Sequence, residues 1–309
     1  MNKKDIIKRF LKQGTLLSPG MLDKINEKNI DRFLKKRPEE PKTHTKIDVN
    51  IRGITKKQKL STKDFVDYYN NKYNGIRNIL MNKMKAVSVG NTKKSFSDVS
   101  VIGMVRELKS SGLVLEDPTG EIEVVLNNKK EINPDDVIGV KGFVRENKLF
   151  AKEVVFPDTP LTHPIGSLDA KIIITTNITE KTKELVKEID LVLALNAEKT
   201  QSNIIKTNSN PGWITLSKNG DKVNLLVYKP ENKTTIEQAV RFLIKRHLSP
   251  LKNRITGPED PFLIEPIPDI FWLVSDEKGK KTYKGVTIIS CGPNSAARID
   301  LKTKEIEFI

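Results

Sequence analysis

Hydrophobic and polar positions alternate in three different ways along this chain. In residues 1–37 the apolar positions recur at helical spacing. Ile6, Ile7, Phe10 and Leu11 make one face, Gly14 is a plausible stop, and Ser18-Pro19 opens a second helix with Leu22 and Ile25 on its buried side. A third short helix over 30–36 completes a small helical module that ends near Pro38. Residues 38–60 hold many Lys and Thr, few aromatics and no sustained period, which reads as a flexible basic linker. A helical segment, 61–96, then leads onward. Ser61 and Asp64 resemble a capping box, and Phe65, Tyr69, Tyr73, Ile76 and Leu80 form one stripe whose simplest reading is core.

From about Val99 the period becomes 2. Val99–Val105, Leu113–Glu116, Glu121–Leu126, Val137–Val144 and Leu149–Phe156 are short apolar runs separated by turn material such as Asp117-Pro118-Thr119-Gly120. Pro118 presets φ for the turn and Gly120 accepts a positive one. Five strands over residues 97–160 fit a small closed barrel, and the OB-fold is the commonest five-strand solution. After the proline-rich exit Pro157–Pro164, strands alternate with helices. Lys171–Thr175, Leu191–Leu195, Val223–Tyr228, Ile270–Val274, Val286–Ile289 and Ile306–Ile309 read as strands, and Glu180–Glu188 and Thr234–Leu248 as helices. Thr234 and Glu237 suggest a capping box for the last helix, and Pro250 its end. Residues 161–309 are thus an α/β layered domain, and the whole chain is α+β and multidomain.

Charge sharpens this division. The chain has 309 residues and a formal net charge of +15. Residues 1–95 carry 24 Lys+Arg against 9 Asp+Glu, while 96–309 carry 30 of each, so the whole excess lies in the first third. A basic arm on a neutral body points to a polyanionic partner, nucleic acid first. Cys291 is the only cysteine, which excludes an intrachain disulfide and a cysteine zinc site and suggests a reducing compartment. No apolar run approaches the roughly 18 residues that cross a bilayer, and the basic N-terminus lacks the continuous apolar stretch of a signal peptide. No phosphate-binding glycine loop or nucleophile elbow is visible.

Several blocks, in order, resemble the small subunit of archaeal family-D DNA polymerases, within the wider polymerase B-subunit family. They are "FVDYYNNKYNGIRNIL" (65–80), "VSVIGMVRE" (99–107), "LVLEDPTGEIEVVL" (113–126), "DDVIGVKGFV" (135–144), "LFAKEVVFPDTPL" (149–161), "VNLLVYKP" (223–230), "LIKRHLSPL" (243–251), "LIEPIPDIF" (263–271) and "YKGVTIISCG" (283–292); "KQGTLLSPGML" is similar to that family's leading helical domain. The resemblance implies an OB-fold followed by a calcineurin-like phosphoesterase domain. In active members that domain binds two metals and acts as a 3′–5′ exonuclease, using Asp-x-His, Gly-Asp, Gly-Asn-His-Asp, a later lone His and Gly-His-x-His. Such metals clamp attacking and leaving oxygens and need imidazole and carboxylate ligands.

This chain departs from those motifs. The first reads "ITTNIT" (174–179), the middle ones fall in a stretch too short to hold them, the later His becomes Tyr228-Lys229-Pro230, and the last reads Val274-Ser275-Asp276-Glu277. His44, His163 and His247 are the only histidines; none is at a metal-motif position, and His247 is expected on a helix. The degenerate positions are therefore Thr176, Lys229, Ser275 and Glu277, in a shortened phosphoesterase-like domain with neither catalytic residues nor metal ligands. The resemblance implies a non-catalytic scaffold subunit bound to a catalytic large subunit, without cofactor or small-molecule substrate, cytoplasmic and near the nucleoid. Lys93, Lys94, Arg106, Lys109, Lys141 and Arg145 are candidate contacts to the DNA backbone, and Trp213 and Trp272 candidate anchors for the partner subunit. An exonuclease with rearranged ligands and a stand-alone single-stranded DNA-binding barrel are the alternatives. In the latter Phe96, Phe143, Phe150 and Phe156 are the only barrel aromatics available for stacking.

Overall fold

The computed structural model describes residues 46–54, 59–94, 98–126, 131–197, 203–249 and 255–309, together with Ile7. The expected helical module, residues 1–37, therefore lies outside the described residues except for Ile7, which is helical. Part of the expected linker is not a linker. β1 (Asp48–Arg52) pairs antiparallel with Gly212–Lys218, at the edge of a sheet. Its Val49 and Ile51 pack on the core while Asp48, Asn50 and Arg52 face outward, a two-residue period too short to stand out among the lysines.

α1 (Thr62–Met81) starts at Ser61, whose capping box with Asp64 is complete. The helix buries a broader face than the expected stripe. Tyr73, Ile76 and Leu80 are buried as expected, but Phe65 is 42% exposed, and Tyr68 and Lys72 are buried instead. The cause is that α1 is covered on two sides. Tyr73, Ile76 and Leu80 pack against Ile102, Met104 and Val137 of the barrel, whereas Tyr68 joins a cluster with Phe262 and Leu243. Gly75 permits a close crossing, since a Cβ there would lie 2.7 Å from Leu263 Cδ2.

Five strands close into a barrel: β2 (Asp98–Lys109), β3 (Gly112–Asp117), β4 (Gly120–Val125), β5 (Val137–Arg145) and β6 (Lys148–Val155). The order around it is β2-β3-β4-β6-β5, with β4 parallel to β6 and the other pairs antiparallel. Its interior is aliphatic: Val101, Val105, Leu113, Leu115, Val124, Ile138, Val140 and Leu149. Gly120 takes φ +150° at the β3–β4 turn, as the Pro-Thr-Gly chemistry predicts.

The rest of the chain builds two sheets face to face. The first contains β1, β10 (Gly212–Lys218), β11 (Asp221–Tyr228), β12 (Ile270–Leu273), β13 (Gly279–Tyr283) and β14 (Val286–Ser290), in the order β1-β10-β11-β12-β14-β13. The second contains β7 (Lys171–Thr175), β8 (Leu191–Ala194), β9 (Ile204–Lys206), β15 (Ala296–Asp300) and β16 (Ile306–Phe308), in the order β16-β15-β7-β8-β9. Ile172, Ile174, Leu191 and Leu193 of one sheet meet Ile214, Leu225, Ile270 and Trp272 of the other in a single apolar layer. α3 (Ile236–Lys245) packs with Phe271 and Ile288 on the outer face of the larger sheet; Leu185 and Val186, at the end of α2 (Glu180–Leu185), pack with Ile173 and Val192 on the smaller. β1, β9, β10, β13 and β15 are strands beyond those expected from the sequence.

α3 corrects two expectations. Its cap is Thr235 with Gln238, one residue later than expected, because Thr234 is turned back to Asn232 and its carbonyl accepts from Ser275. It stops at Arg246, which takes φ +51° and bonds Ile264 O and Glu265, so Pro250 does not end it and His247 is not helical.

Candidate functional site

The strand ends next to Thr176, Lys229, Ser275 and Glu277, the positions singled out by the resemblance, lie together at one end of the two-sheet domain. Thr176 and Asn177 follow β7, and Asn177 Nδ2 donates to Pro293 O, just past β14, at 3.3 Å. Asn196, after β8, donates its side-chain amide to Asn177 Oδ1 at 2.9 Å. Gly292 lies so close to Ser275 that a Cβ would meet the Ser275 carbonyl at 2.5 Å. Parallel pairing of β11 with β12 brings Lys229 to the same end.

The side chains there are engaged with the fold itself. Ser275 Oγ donates to Thr234 O at 2.7 Å, and Glu277 Oε2 accepts the Ile236 N–H at 3.0 Å, at the positive end of α3. Lys229 is exposed, while its backbone N–H and C=O are both held by the Asn210 amide, at 2.8 and 2.6 Å. Thr176 is buried and its hydroxyl has no hydrogen-bond partner among the described residues. No group of three or more His, Cys, Asp or Glu able to hold a metal ion occurs among the described residues. What the arrangement does chemically is lock the start of α3 onto the loop after β12.

The three histidines are dispersed. His44 lies outside the described residues. His163 sets both ring nitrogens against carbonyls, of Pro164 and Lys284, at 3.0 and 2.8 Å. His247 is buried where α1, the barrel and α3 meet. Its Nδ1 accepts from the Ser249 N–H at 2.9 Å, so its proton resides on Nε2, which faces Asp260 Oδ2 at 2.9 Å. Burial, then nearby Lys72, hold this imidazole below its ordinary pKa against the pull of Asp260. Burial would raise Asp260, but His247 and the Phe262 N–H outweigh it and keep the carboxyl below the usual range. Beside them Lys245 Nζ bonds Asp136 Oδ2 at 2.7 Å, both side chains nearly buried. Lys72, Asp136, Lys245 and His247 fall within the blocks of resemblance, but no catalytic or metal motif singled them out.

The cations proposed for a DNA backbone are divided. The side chains of Lys93 and Lys94 lie outside the described residues. Arg106 pairs with Glu121 and Glu116, Lys109 with Glu123 at 3.8 Å, Lys141 with Glu153 at 2.9 Å, and Arg145 with Glu146 at 3.2 Å. Residues 98–155 carry eight Lys+Arg and eleven Asp+Glu, so the barrel as a whole is acidic. The two tryptophans also part. Trp272 is 0% exposed between the sheets with its indole N–H on Cys291 O at 3.3 Å, so it is core and not a partner anchor. Burial pushes the adjacent Cys291 thiol up to about 12, which leaves it unreactive. Trp213 is half-buried, with the Arg52 guanidinium 5.7 Å above its ring, beside a groove of about 660 Å³ lined by Pro211, Pro258, Leu263 and Glu265. Of the four barrel phenylalanines, Phe96 lies outside the described residues and Phe156 packs on the barrel core. Phe143 and Phe150 instead stack on each other outside it, their centroids 5.3 Å apart and planes 9° apart.

No family model matches the chain. Three curated relatives do, all called DNA polymerase II small subunit. That of Archaeoglobus fulgidus is 29% identical over 170 residues, covering 52% of this chain and 33% of the relative. That of Methanothermobacter thermautotrophicus is 28% identical over 113 residues, 31% of this chain and 23% of the relative. That of Thermoplasma acidophilum is 24% identical over 197 residues, 52% of this chain and 39% of the relative. The match thus spans well under half the length of each relative. Among solved structures, the hypothetical protein ygiW from E. coli aligns with 23% of this chain and 89% of its own at 22% identity and a TM-score of 0.21. No helix among the described residues is long and apolar enough to cross a membrane. Over the half of its length that aligns, the chain is thus similar to the small subunits of archaeal DNA polymerase II.

Proposed function

We propose that this chain is a scaffold subunit that binds and stabilises the catalytic large subunit of a DNA polymerase, through a phosphoesterase-like domain that no longer holds metals. The strand order of the barrel, with its one parallel pair, supports reading it as an OB-fold. Two facing sheets with helices outside each support reading the remainder as a shortened calcineurin-like domain. The observation that carries the proposal is the state of the old motif positions. Ser275 and Glu277, where the resemblance places the last metal motif, are bonded to Thr234 and to the first turn of α3. Thr176 and Lys229 offer a hydroxyl and an ammonium where divalent metals need imidazole or carboxylate. A fold kept without those ligands is a shape for another protein, and the Trp213 groove is its candidate docking point.

Co-expression with the large subunit encoded in the same genome tests this. The two chains are expected to co-elute, and the large subunit to gain thermal stability and polymerase activity. Separate elution overturns the scaffold role. Mn²⁺-dependent digestion of 3′-ended single-stranded DNA by the purified chain, lost in Glu277→Gln, overturns the inactive-domain reading.

A further inference from the structure

We infer that the outer face of the β5–β6 hairpin binds single-stranded nucleic acid, with the Phe143–Phe150 pair as the platform on which a base stacks. Alternation along the two strands creates the platform. Val144 and Leu149 are register partners that point into the barrel, so the neighbouring partners, Phe143 and Phe150, stand together on the outside. Phe143 is 40% exposed. Val125 of β4, in register with Phe150 on its other side, is half-buried and extends the apolar strip. Two parallel rings facing solvent carry no hydrogen-bonding group. What they can recognise is another flat π-face, and stacking of this kind tolerates any base.

The charge around the rings selects the partner class. Within the acidic barrel the hairpin is the exception. Residues 137–155 carry Lys141, Arg145, Lys148 and Lys152 against Glu146 and Glu153, whereas residues 98–136 carry four basic and nine acidic groups. The register shifts by one residue at Lys141–Gly142, so Lys152 and Glu153 are both exposed, and Lys152 Nζ lies 5.7 Å from the Phe143 centroid. The carboxylates that now hold these cations are themselves solvent-facing: Asp98 for Lys152 and Glu153 for Lys141. Pairs of that exposure contribute little and give way to a phosphate. Protein interfaces deplete lysine at their cores, whereas rings flanked by lysine and arginine match a strand of bases and phosphates.

The test uses the full-length chain and a fluorescein-labelled oligo(dT) of about 20 nucleotides, followed by anisotropy across a NaCl series. Phe143→Ala is expected to weaken binding about tenfold at every salt concentration. It should leave the slope of log K against log salt unchanged, because the ring carries no charge. Lys141→Gln and Lys152→Gln should each make that slope shallower by about 0.7. Phe143→Tyr should bind like the parent. Phe143→Leu keeps the apolar bulk and removes only the aromatic face, so it decides the matter if Phe143→Ala melts early. Equal affinity of Phe143→Leu and parent over the whole series overturns the inference. Unchanged oligonucleotide binding with loss of large-subunit co-elution overturns it too, and assigns the strip to a protein. The scaffold proposal can fail without touching this result, since no partner chain enters the titration.

Discussion

The joint between the barrel and the two-sheet domain and the outer β5–β6 hairpin both carry lysine–carboxylate pairs at nearly the same distance. Lys245–Asp136 is 2.7 Å and Lys141–Glu153 is 2.9 Å. Their surroundings differ. Lys245 and Asp136 are each 9% exposed, and Asp136 also accepts the Asn133 N–H at 2.7 Å. With its amide oriented to satisfy the local hydrogen bonds, Asn133 gives Lys245 a further acceptor at 2.8 Å. Lys141 and Glu153 are 40% and 57% exposed, and water competes for both. Distance alone therefore says little about what a pair contributes. In the joint, a lost partner leaves an uncompensated charge in a low dielectric, so the pair fixes how α3 meets the barrel. On the hairpin, a lost partner is replaced by water or by a ligand's phosphate.

The comparison is broken most directly at Lys245. Lys245→Met leaves Asp136 buried with its ammonium gone and is expected to cost about 3–5 kcal/mol in urea unfolding. Adding Asp136→Leu should recover most of that loss, because a buried pair replaced by apolar groups is often neutral. A double variant as unstable as the single one would show that packing around Asn133, not charge, holds the joint. Next in size is a pH effect. The folded chain holds both His247 and Asp260 below their ordinary pKa values. The unfolded chain therefore binds more protons as the solution is acidified, and stability falls with decreasing pH. For His247 the loss begins below about pH 6.5 and runs down to its lowered folded value, at no more than about 1.4 kcal/mol per pH unit. Asp260 adds its loss lower, below about pH 4 and through its own folded value. His247→Gln should flatten the upper limb, read from urea midpoints between pH 7 and 5, and shrink the lower one, because Asp260 loses the partner that holds its pKa down.

Much of this contrast was hidden in the sequence for physical reasons. The barrel was legible because its strands alternate regularly between punctuated turns, and Gly120 at φ +150° fits the expected turn. β13 was not, since Gly279–Tyr283 is an edge strand without a buried residue and so without an apolar rhythm. β1 hid because five residues of alternation are weak evidence inside a basic stretch. The cap of α3 was ambiguous locally, because Thr234 and Thr235 each precede a suitable residue by three. The bond from Ser275 Oγ to Thr234 O, 41 residues away, selects Thr235. Arg246 ends the helix by reaching Ile264 O and Glu265, which no local pattern encodes. Thr176 and Lys229 were singled out only by the resemblance; a hydroxyl and an ammonium are poor ligands for divalent metals, and no local pattern marks either position. The Phe143–Phe150 pair was not legible, because only the cross-strand register puts two apolar residues side by side on the wet face.

A smaller effect concerns the closed end of the two-sheet domain. Thr176 is 2% exposed and its hydroxyl is unpartnered among the described residues. Thr176→Val removes a buried polar atom while keeping the branched shape, and should stabilise the chain by up to about 1 kcal/mol. A loss of stability would mean that the hydroxyl is hydrogen-bonded in solution and that this end of the sandwich is wetter than its packing suggests.

The smallest expected effect is at the exposed pair itself. Lys141→Ala should change stability by less than about 1 kcal/mol, and raising the salt should erase even that difference, because the attraction between two solvated charges is screened within about 10 Å at 0.1 M. The same substitution made in the presence of oligo(dT) should matter more than it does to the fold. The stem of Lys141 is free to swing from Glu153 to a phosphate, and the fold has no stake in which one it holds. Urea midpoints of parent and Lys141→Ala at 0.05 and 0.5 M NaCl measure the first part. A destabilisation above about 2 kcal/mol that persists at high salt would mean that Lys141 is structural, and would move the boundary between fixed and exchangeable charges from the joint out onto the hairpin.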